Sequence, residues 1–297
     1  MKSGERGFLL LSSCLGDPDR KPLTTAQLRT LADRTWQMPA VREDRELEAS
    51  DLTALGYSRE QADRIVKLLS QDELLDHYLR RGKRAGCVPL TRVSEGYPLR
   101  LRKRLGLDSP GVLWAKGDLA ILDSPMIALV GSRDLRRENE NFAREAGRQA
   151  ALQGYTLVSG NARGADRTAQ DACLEAGGRV VSIVADKLAD KPERERVLYL
   201  SEDDFDLDFS AQRALSRNRA IHALGEKTLV AQCNYGTGGT WDGTVRNLRF
   251  GWSPVFCFRD GSQAILQLEQ MGAKLITFEK LKNLDTICSD YFNFFGQ

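Results

Sequence analysis

From residue 126 onward, short apolar runs alternate with amphipathic stretches, and this alternation limits the possible folds more than any other feature of the chain. The apolar runs predict strands at 126–130, 155–159, 179–184, 228–233, 254–258 and 274–278. The stretches between them predict helices near 139–153, 167–176, 211–224, 241–250 and 263–271. Strands that are apolar throughout and are separated by helices are typical of a parallel sheet buried on both faces. We therefore predict an α/β fold, with a doubly wound and mostly parallel Rossmann-like sheet.

The remaining segments predict the domain organisation. Residues 1–80 contain no convincing strand, and apolar residues between 52 and 69 follow helical spacing, which predicts a small helical N-terminal domain. Residues 81–125 are predicted to be a basic connector and extension, which leads into a Rossmann-like domain at 126–280. Residues 281–297 are predicted to form a short C-terminal tail.

The composition narrows the class of protein. Hydrophobic residues make up 41% and charged residues 28% of the 297 residues, as in ordinary globular proteins. No run approaches the roughly 18 apolar residues that a membrane helix needs. The six cysteines form no CxxC pair and have no nearby histidines, which favours reduced thiols in a cytoplasmic protein over a disulfide framework or a zinc site. We predict no membrane partner, no metal site and no cofactor.

The charged residues are unevenly distributed, although the formal net charge is only +2. Residues 79–104 hold nine Lys or Arg against one acid, whereas residues 186–208 hold nine Asp or Glu against four Lys or Arg. A basic stretch can neutralise phosphates, but a solvated connector can have the same composition. The acidic run at 202–208 would repel a phosphate chain that passes nearby. Charge alone therefore leaves both interpretations of the basic stretch open.

Three predicted strand-to-helix loops carry glycines together with hydroxyl or arginine side chains. In doubly wound sheets ligands bind beyond the carboxyl ends of the strands, where such loops lie. Glycine lets a ligand approach the backbone, arginine matches phosphate geometry, and a helix N-terminus presents free N–H groups. None of the loops is a Walker P-loop or a GxGxxG motif, and each alone would be read as a tight turn. Together they predict a phosphate- or DNA-binding site made of Gly131, Ser132, Arg133, Ser159, Gly160, Arg163, Gly164, Thr237, Gly238, Gly239 and Thr240.

Two polar features near these loops have competing interpretations. Asp166 can cap a helix or hold a ribose hydroxyl, and capping is favoured because Asp is a common N-cap residue. Arg217, Asn218 and Arg219 lie on a predicted helix and are further candidates for the site. Adjacent helical positions face different directions, so at most one of the two arginines points at the site while the other pairs elsewhere. A salt-bridged surface helix is the alternative.

Taken together, the segments that carry these loops resemble the DNA-processing A (DprA) family. The resemblance rests on MIALVGSR at 126–133, LVSGNARGAD at 157–166, SRNRAIHA at 216–223, the glycine loop at 236–240 and MGAKLI at 271–276. The segment 55–69 also resembles the helical N-terminal module of the family.

The resemblance implies a protein that binds single-stranded DNA, usually as a dimer, and hands it to the bacterial recombinase during transformation. Arg133, Ser159, Gly160, Arg163 and the triplet Arg217 to Arg219 would then line a phosphate pocket that Gly238 to Thr240 close. Phe209 and Tyr235 lie near the right loops to stack on bases. Similar proteins resemble companions of toxin enzymes in phage defence, which makes a toxin enzyme another candidate partner.

Two other functional classes use the same type of loop. Phosphoribohydrolases of the wider superfamily carry a glutamate after the glycine loop, but Trp241 and Asp242 follow it here. The chain has two histidines, His77 and His222, and the apolar neighbours of His222 favour a structural role over that of a general base. We therefore predict no catalytic residue and no enzymatic activity. A nucleotide-sensing regulator or antitoxin-like protein that uses the same pocket stays open.

Overall fold

The computed structural model describes residues 1–17, 19–36, 47–202 and 204–288. These residues form a nine-stranded sheet with the spatial order β1-β2-β6-β5-β4-β3-β7-β8-β9. Its strands are β1 (Val88–Thr91), β2 (Val112–Lys116), β3 (Met126–Val130), β4 (Thr156–Ser159), β5 (Arg179–Ile183), β6 (Val197–Ser201), β7 (Lys227–Val230), β8 (Val255–Phe258) and β9 (Lys274–Ile276).

The seven strands from β3 to β9 pair in parallel, whereas β1 and β2 add an antiparallel edge next to β6. The chain runs outward from β3 in one direction through β4, β5 and β6, and then returns to place β7 on the other side of β3. The strand order therefore reverses between the neighbouring strands β3 and β7. Such sheets hold ligands beyond the carboxyl ends of the strands at this point.

Helices cover both faces of the sheet. Side chains alternate along β3, so that Ile127 joins one buried cluster with Phe142 while Ala128 joins the other with Ile221. This arrangement confirms the predicted doubly wound fold. In the described residues the α-helices are α1 (Ser3–Ser12), α2 (Thr25–Thr35), α3 (Ala49–Ala54), α4 (Arg59–Leu69), α5 (Asp72–Arg84), α6 (Leu99–Leu105), α7 (Arg137–Leu152), α8 (Ala165–Glu175), α9 (Ala211–Ser216), α10 (Asn218–Leu224), α11 (Gly239–Phe250), α12 (Gln263–Gln270) and α13 (Phe278–Leu281).

Three strands are absent from the sequence prediction. Strands β1 and β2 lie in the segment 81–125, predicted as a connector, and β6 lies in the acidic segment 186–208. Each is only four or five residues long and is surrounded by charged residues. A short apolar run has no distinctive period, so only pairing with β5 and with one another defines these segments as strands.

The helix predicted at 211–224 is interrupted at Arg217, which separates α9 from α10. A tertiary contact accompanies the interruption, because the Arg217 guanidinium donates a hydrogen bond to the carbonyl of Gly160, at the end of β4.

The N-terminal helices α1 to α5 have a small core of their own around Leu52 and Ile65. They also pack on the sheet through Tyr78, whose ring meets Trp114 edge to face at 5.4 Å. The predicted C-terminal tail begins at Leu281, the last residue of α13, which is fully buried, and its residues after 288 lie outside the described residues. Within the described ranges, no helix is long and apolar enough to cross a membrane.

Candidate nucleic-acid interface

The loops after β3, β4 and β7 meet at the carboxyl edge of the sheet and enclose an open cavity of about 570 Å³. It adjoins a smaller recess of about 360 Å³, with which it shares Arg133, Phe209 and Arg217. We call the two together the cleft. Most of the predicted site residues line it, namely Gly131, Ser132, Arg133, Gly160, Arg163, Arg217, Asn218, Thr237, Gly238, Gly239 and Thr240.

Three predicted site residues do not line the cleft. Ser159 is fully buried, and its hydroxyl accepts a hydrogen bond from Gln170 at 2.5 Å. Gly164 is the N-cap of α8. Its backbone lies against the carbonyl of Arg133 and so packs the loop after β4 against the loop after β3. Arg219 points to the other side of α10, where it pairs with Glu202 at 3.2 Å. Only one arginine of the RNR triplet therefore points at the site, as the helical geometry predicted.

Arg217 is buried at the centre of the cleft and ties two loops together. Its Nη2 donates to the carbonyl of Gly160 at 2.9 Å, and its Nη1 donates to Oδ1 of Asn218 at 2.7 Å. Asn218 in turn donates through Nδ2 to the carbonyl of Gly239, at the start of α11, at 3.0 Å. A glycine is required at position 160, because a Cβ there would lie 1.9 Å from Arg217 Nη1. Arg217 thus links the loops after β4 and β7, and these hydrogen bonds hold its guanidinium in place.

Asp166 holds the loop after β4 and is not the N-cap of α8, contrary to the favoured prediction. Its Oδ2 accepts hydrogen bonds from the backbone N–H groups of Gly160 at 3.1 Å and Ala162 at 3.2 Å. Burial raises the pKa of Asp166, whereas the nearby Arg217 guanidinium and the two N–H donors act in the opposite direction. No carboxylate in the described residues lies within ion-pair distance of the Arg217 guanidinium, so its charge is balanced only at longer range.

The loop after β4 contains a residue that sequence reasoning did not select. Asn161 lines the cleft and has a positive φ of 60°, in the left-handed region. Asparagine tolerates this region better than most residues because its side chain hydrogen-bonds locally. In the sequence, this tight turn is indicated by an Asn that directly follows the glycine at the end of a strand.

The entrance to the cleft carries two exposed cations. Arg133 is exposed and has no ion-pair partner in the part of the chain that the structure describes. Arg163 pairs with Asp134 at 2.6 Å, but both side chains are more than two-thirds exposed, so the pair is weak and readily exchanged for a phosphate.

Two exposed aromatic rings lie in or near the loops that form the cleft. Phe209 lines both parts of the cleft and is 56% exposed. Tyr235, in the loop after β7, is 48% exposed and meets Trp241 edge to face at 5.1 Å. An exposed ring such as Phe209 beside exposed cations offers a surface on which bases could stack while their phosphates are neutralised.

A family model described as DNA recombination-mediator protein A matches residues 89–284. The chain belongs to this family. It is 29% identical over 157 residues to the DNA processing protein DprA of Bacillus subtilis, which covers 49% of this chain and 51% of that one. It is 28% identical over 187 residues to the DprA of Streptococcus pneumoniae, with 57% and 64% covered. The matched segments thus span about half to two-thirds of these relatives.

Solved structures of the family share the fold. The DprA of Streptococcus pneumoniae superposes with a TM-score of 0.68 at 23% identity, over 86% of this chain and 90% of that one. The DNA processing protein A of Helicobacter pylori, described for its single-stranded DNA binding mode, gives 0.56 at 22% identity, over 69% and 97%. At this identity the likeness establishes the family fold, with β3, β4 and β7 at its centre.

Three acidic residues of the run near the cleft have ion-pair partners, which would reduce the predicted repulsion of a phosphate chain. Asp206 pairs with Arg81 at 2.6 Å, and Asp208 pairs with Lys187 at 3.0 Å. Glu202 pairs with Arg219, as described above. Asp203 belongs to the same run and lies outside the described residues.

Part of the basic stretch at 79–104 has a structural role. Arg100 donates to the carbonyl of Leu224 and Arg104 to that of Ala223, both at 3.0 Å. These carbonyls form the C-terminus of α10, whose partial negative charge favours cations. The two arginines therefore hold α10 in place instead of facing a ligand. In the described ranges, no group of three or more His, Cys, Asp or Glu side chains is placed to hold a metal ion.

His222 lies on α10 with 1% of its surface exposed, and burial lowers its pKa from 6.5 to about 3, with a further contribution from Arg217. The unfolded chain takes up a proton on this imidazole below about pH 6.5, whereas the folded protein does not until about pH 3. Acidification between these values therefore favours the unfolded state, and stability falls as the pH drops.

We expect the free energy of unfolding to fall by about 2 kcal/mol more between pH 7 and pH 5 in the wild type than in His222→Gln, which lacks the titrating group. Urea denaturation at both pH values measures the difference. His77→Gln is the control, because His77 is exposed. Equal acid sensitivity of the wild type and His222→Gln would contradict the assignment of a neutral buried imidazole.

Proposed function

We propose that this protein binds single-stranded DNA in the cleft at the carboxyl edge of its sheet. The observation that carries the proposal is Arg217, a buried cation without a contacting carboxylate, held by hydrogen bonds between two glycine-containing loops. A buried charge is costly unless an opposite charge accompanies it, and a phosphate in the cleft would supply one. Membership of the DNA recombination-mediator family supports the same ligand.

The shape of the cleft favours a strand over a free nucleotide. The cleft is open, and Arg217 lines both of its parts. Arg133 and Arg163 at the entrance can contact successive phosphates, while the exposed rings of Phe209 and Tyr235 can stack on bases. A mononucleotide would use the cations but would leave most of the aromatic surface uncovered.

We further propose that the protein works in the cytoplasm as a homodimer, without catalytic activity, and passes the bound strand to a bacterial recombinase. Family membership supports this role in DNA processing and recombination. In a phage-defence setting, a toxin enzyme would take the place of the recombinase as the partner.

Binding to a fluorescent thymidine oligonucleotide of about 20 nucleotides tests the proposal. We expect Arg133→Ala to weaken binding roughly tenfold and to lower the salt dependence by about one counterion, because one phosphate contact is lost. Fluorescence anisotropy at about 50 mM and 200 mM salt measures both effects.

Arg179→Ala is the matched control, since Arg179 is equally exposed but lies at the amino end of β5, at the opposite edge of the sheet. A duplex of the same length and dTMP serve as competitors. No binding by folded wild-type protein at low salt would overturn the proposal, and full competition by dTMP at equal phosphate concentration would favour the nucleotide-sensing alternative.

A further inference from the structure

The floor of the cleft contains a histidine whose hydrogen-bonding roles the structure defines. His222 lines the cleft next to Asn218, although almost all of its surface is buried. It lies between α10, to which it belongs, and the first turns of α11. None of the roles proposed above uses this side chain.

The neighbours of His222 determine which ring nitrogen carries the proton. Asn247 accepts the backbone N–H of Ser253 through Oδ1 at 2.9 Å, so its Nδ2 is the donor side of the amide. That Nδ2 lies 3.1 Å from His222 Nδ1, which must therefore accept and be unprotonated. The Ser253 hydroxyl also bonds Thr228 on β7 at 2.8 Å, which anchors the network to the sheet. A neutral imidazole in this network carries its proton on Nε2.

The Nε2–H group has no acceptor among the residues that the structure describes. It faces Gly243 on α11, where a Cβ would lie only 3.2 Å from Nε2, so the absence of a side chain at position 243 leaves room for the ring. Nε2 is not among the fully buried polar atoms, and His222 lines the cleft, so this donor is open to the cleft. An acceptor on a bound ligand could therefore take its hydrogen bond.

The surroundings indicate which acceptor this is. Gly238, Gly239 and Thr240 line the cleft together with His222, at the N-terminus of α11, where the first N–H groups have no partner within the helix. A wall of glycines and N–H donors suits a phosphate oxygen.

We propose that His222 Nε2–H donates a hydrogen bond to a phosphate oxygen of the bound strand and thereby acts as a neutral phosphate-binding group at the floor of the cleft. The inference rests on the proposed function, because the ligand must be a nucleic-acid strand. A neutral donor also fits this position because the charge of Arg217 disfavours a second cation next to it.

Nitrogen-15 NMR of the full-length wild type tests the proposal directly, since His77 and His222 are the only histidines in the chain. Long-range proton–nitrogen spectra should show His222 as the Nε2–H tautomer. Addition of a thymidine oligonucleotide should shift Nε2 and its proton, and an abasic oligonucleotide should do the same because it keeps the phosphates. His77, exposed on α5, should not change.

A charged His222 at pH 6.5, a Nδ1–H tautomer, or no shift on saturation with DNA would overturn the inference. So would a shift that requires the bases. If the wild type binds DNA in an Arg133-dependent manner while His222 stays unperturbed, this inference fails and the proposed function stands. If the wild type binds no DNA, both fail.

Affinities of two variants provide a second readout. His222→Phe keeps a planar ring but lacks the donor, and we expect roughly threefold to tenfold weaker binding with an unchanged salt dependence, because no charge is lost. His222→Gln should recover part of the affinity, since its amide can donate. Equal binding by the wild type and folded His222→Phe would overturn the inference, and His77→Phe is the control.

Discussion

Replacing Arg217 with methionine is expected to weaken binding of single-stranded DNA at least 100-fold, the largest effect of any single side chain in the cleft. The Arg217 guanidinium is already fixed by Gly160 and Asn218, so it contacts a phosphate without losing side-chain entropy. Its burial also reduces the screening of its charge. Arg217→Lys should recover little, because an ammonium cannot satisfy both partners with the same planar geometry. Anisotropy with the thymidine oligonucleotide measures the loss.

The adjacent arginine provides the control for this experiment. Arg219 lies two residues further along, in the first turn of α10, and its side chain pairs with Glu202 away from the cleft, so folded Arg219→Met should keep its affinity for DNA. A loss of binding equal to that of Arg217→Met would contradict the assignment of Arg217 to the cleft and of Arg219 to the side that faces Glu202.

A double-mutant cycle with Asp166→Asn shows how Arg217 is held. We expect a coupling of about 1 kcal/mol or more in the free energy of unfolding, because the charges of Arg217 and Asp166 balance each other inside the protein. Independent effects of the two substitutions in urea denaturation would show that Asp166 supports the loop after β4 through its backbone contacts alone.

Replacing Gly164 with alanine is expected to lower the free energy of unfolding by about 3 kcal/mol and to disrupt the cleft at the same time. Gly164 has a φ of 86°, and a Cβ there would lie 2.4 Å from the carbonyl oxygen of Arg133. Backbone atoms cannot move aside as a flexible side chain can, so the loops after β3 and β4 must separate. Urea denaturation measures the stability, and anisotropy measures the accompanying loss of DNA binding.

Gly177→Ala separates backbone strain from overlap. Gly177 has nearly the same φ, 84°, but its nearest neighbour would be the tip of Arg196 at 3.7 Å. This variant should therefore lose only about 1 kcal/mol and bind DNA normally. Equal losses in the two variants would show that the contact between Gly164 and Arg133 does not hold the loops together.

The sequence by itself determined the central part of the fold. The strands from β3 to β5 and from β7 to β9 are mostly apolar, and buried parallel strands carry this signal locally. Their glycine-containing ends also identified the cleft, because in a parallel sheet all carboxyl ends lie at one edge. The interrupted helix at 211–224 shows the limit of such reasoning, since its periodicity gives no indication of the contact between Arg217 and Gly160.

Only the tertiary structure decided which polar side chains face the cleft. Helical spacing predicted that Arg217 and Arg219 diverge, but the position of Glu202, directly after β6, determines which of them points away. Strand β6, together with β1 and β2, escaped prediction because its pairing is with residues far away in the sequence. Likewise, the protonated nitrogen of His222 is determined by Asn247, 25 residues away, in a network that reaches Thr228 on β7. Asp166 holds the loop after β4 through N–H groups that only the folded turn brings to its carboxylate. Periodicity is a local property of the chain, whereas burial, ion pairing and protonation depend on neighbours that only the folded chain brings together.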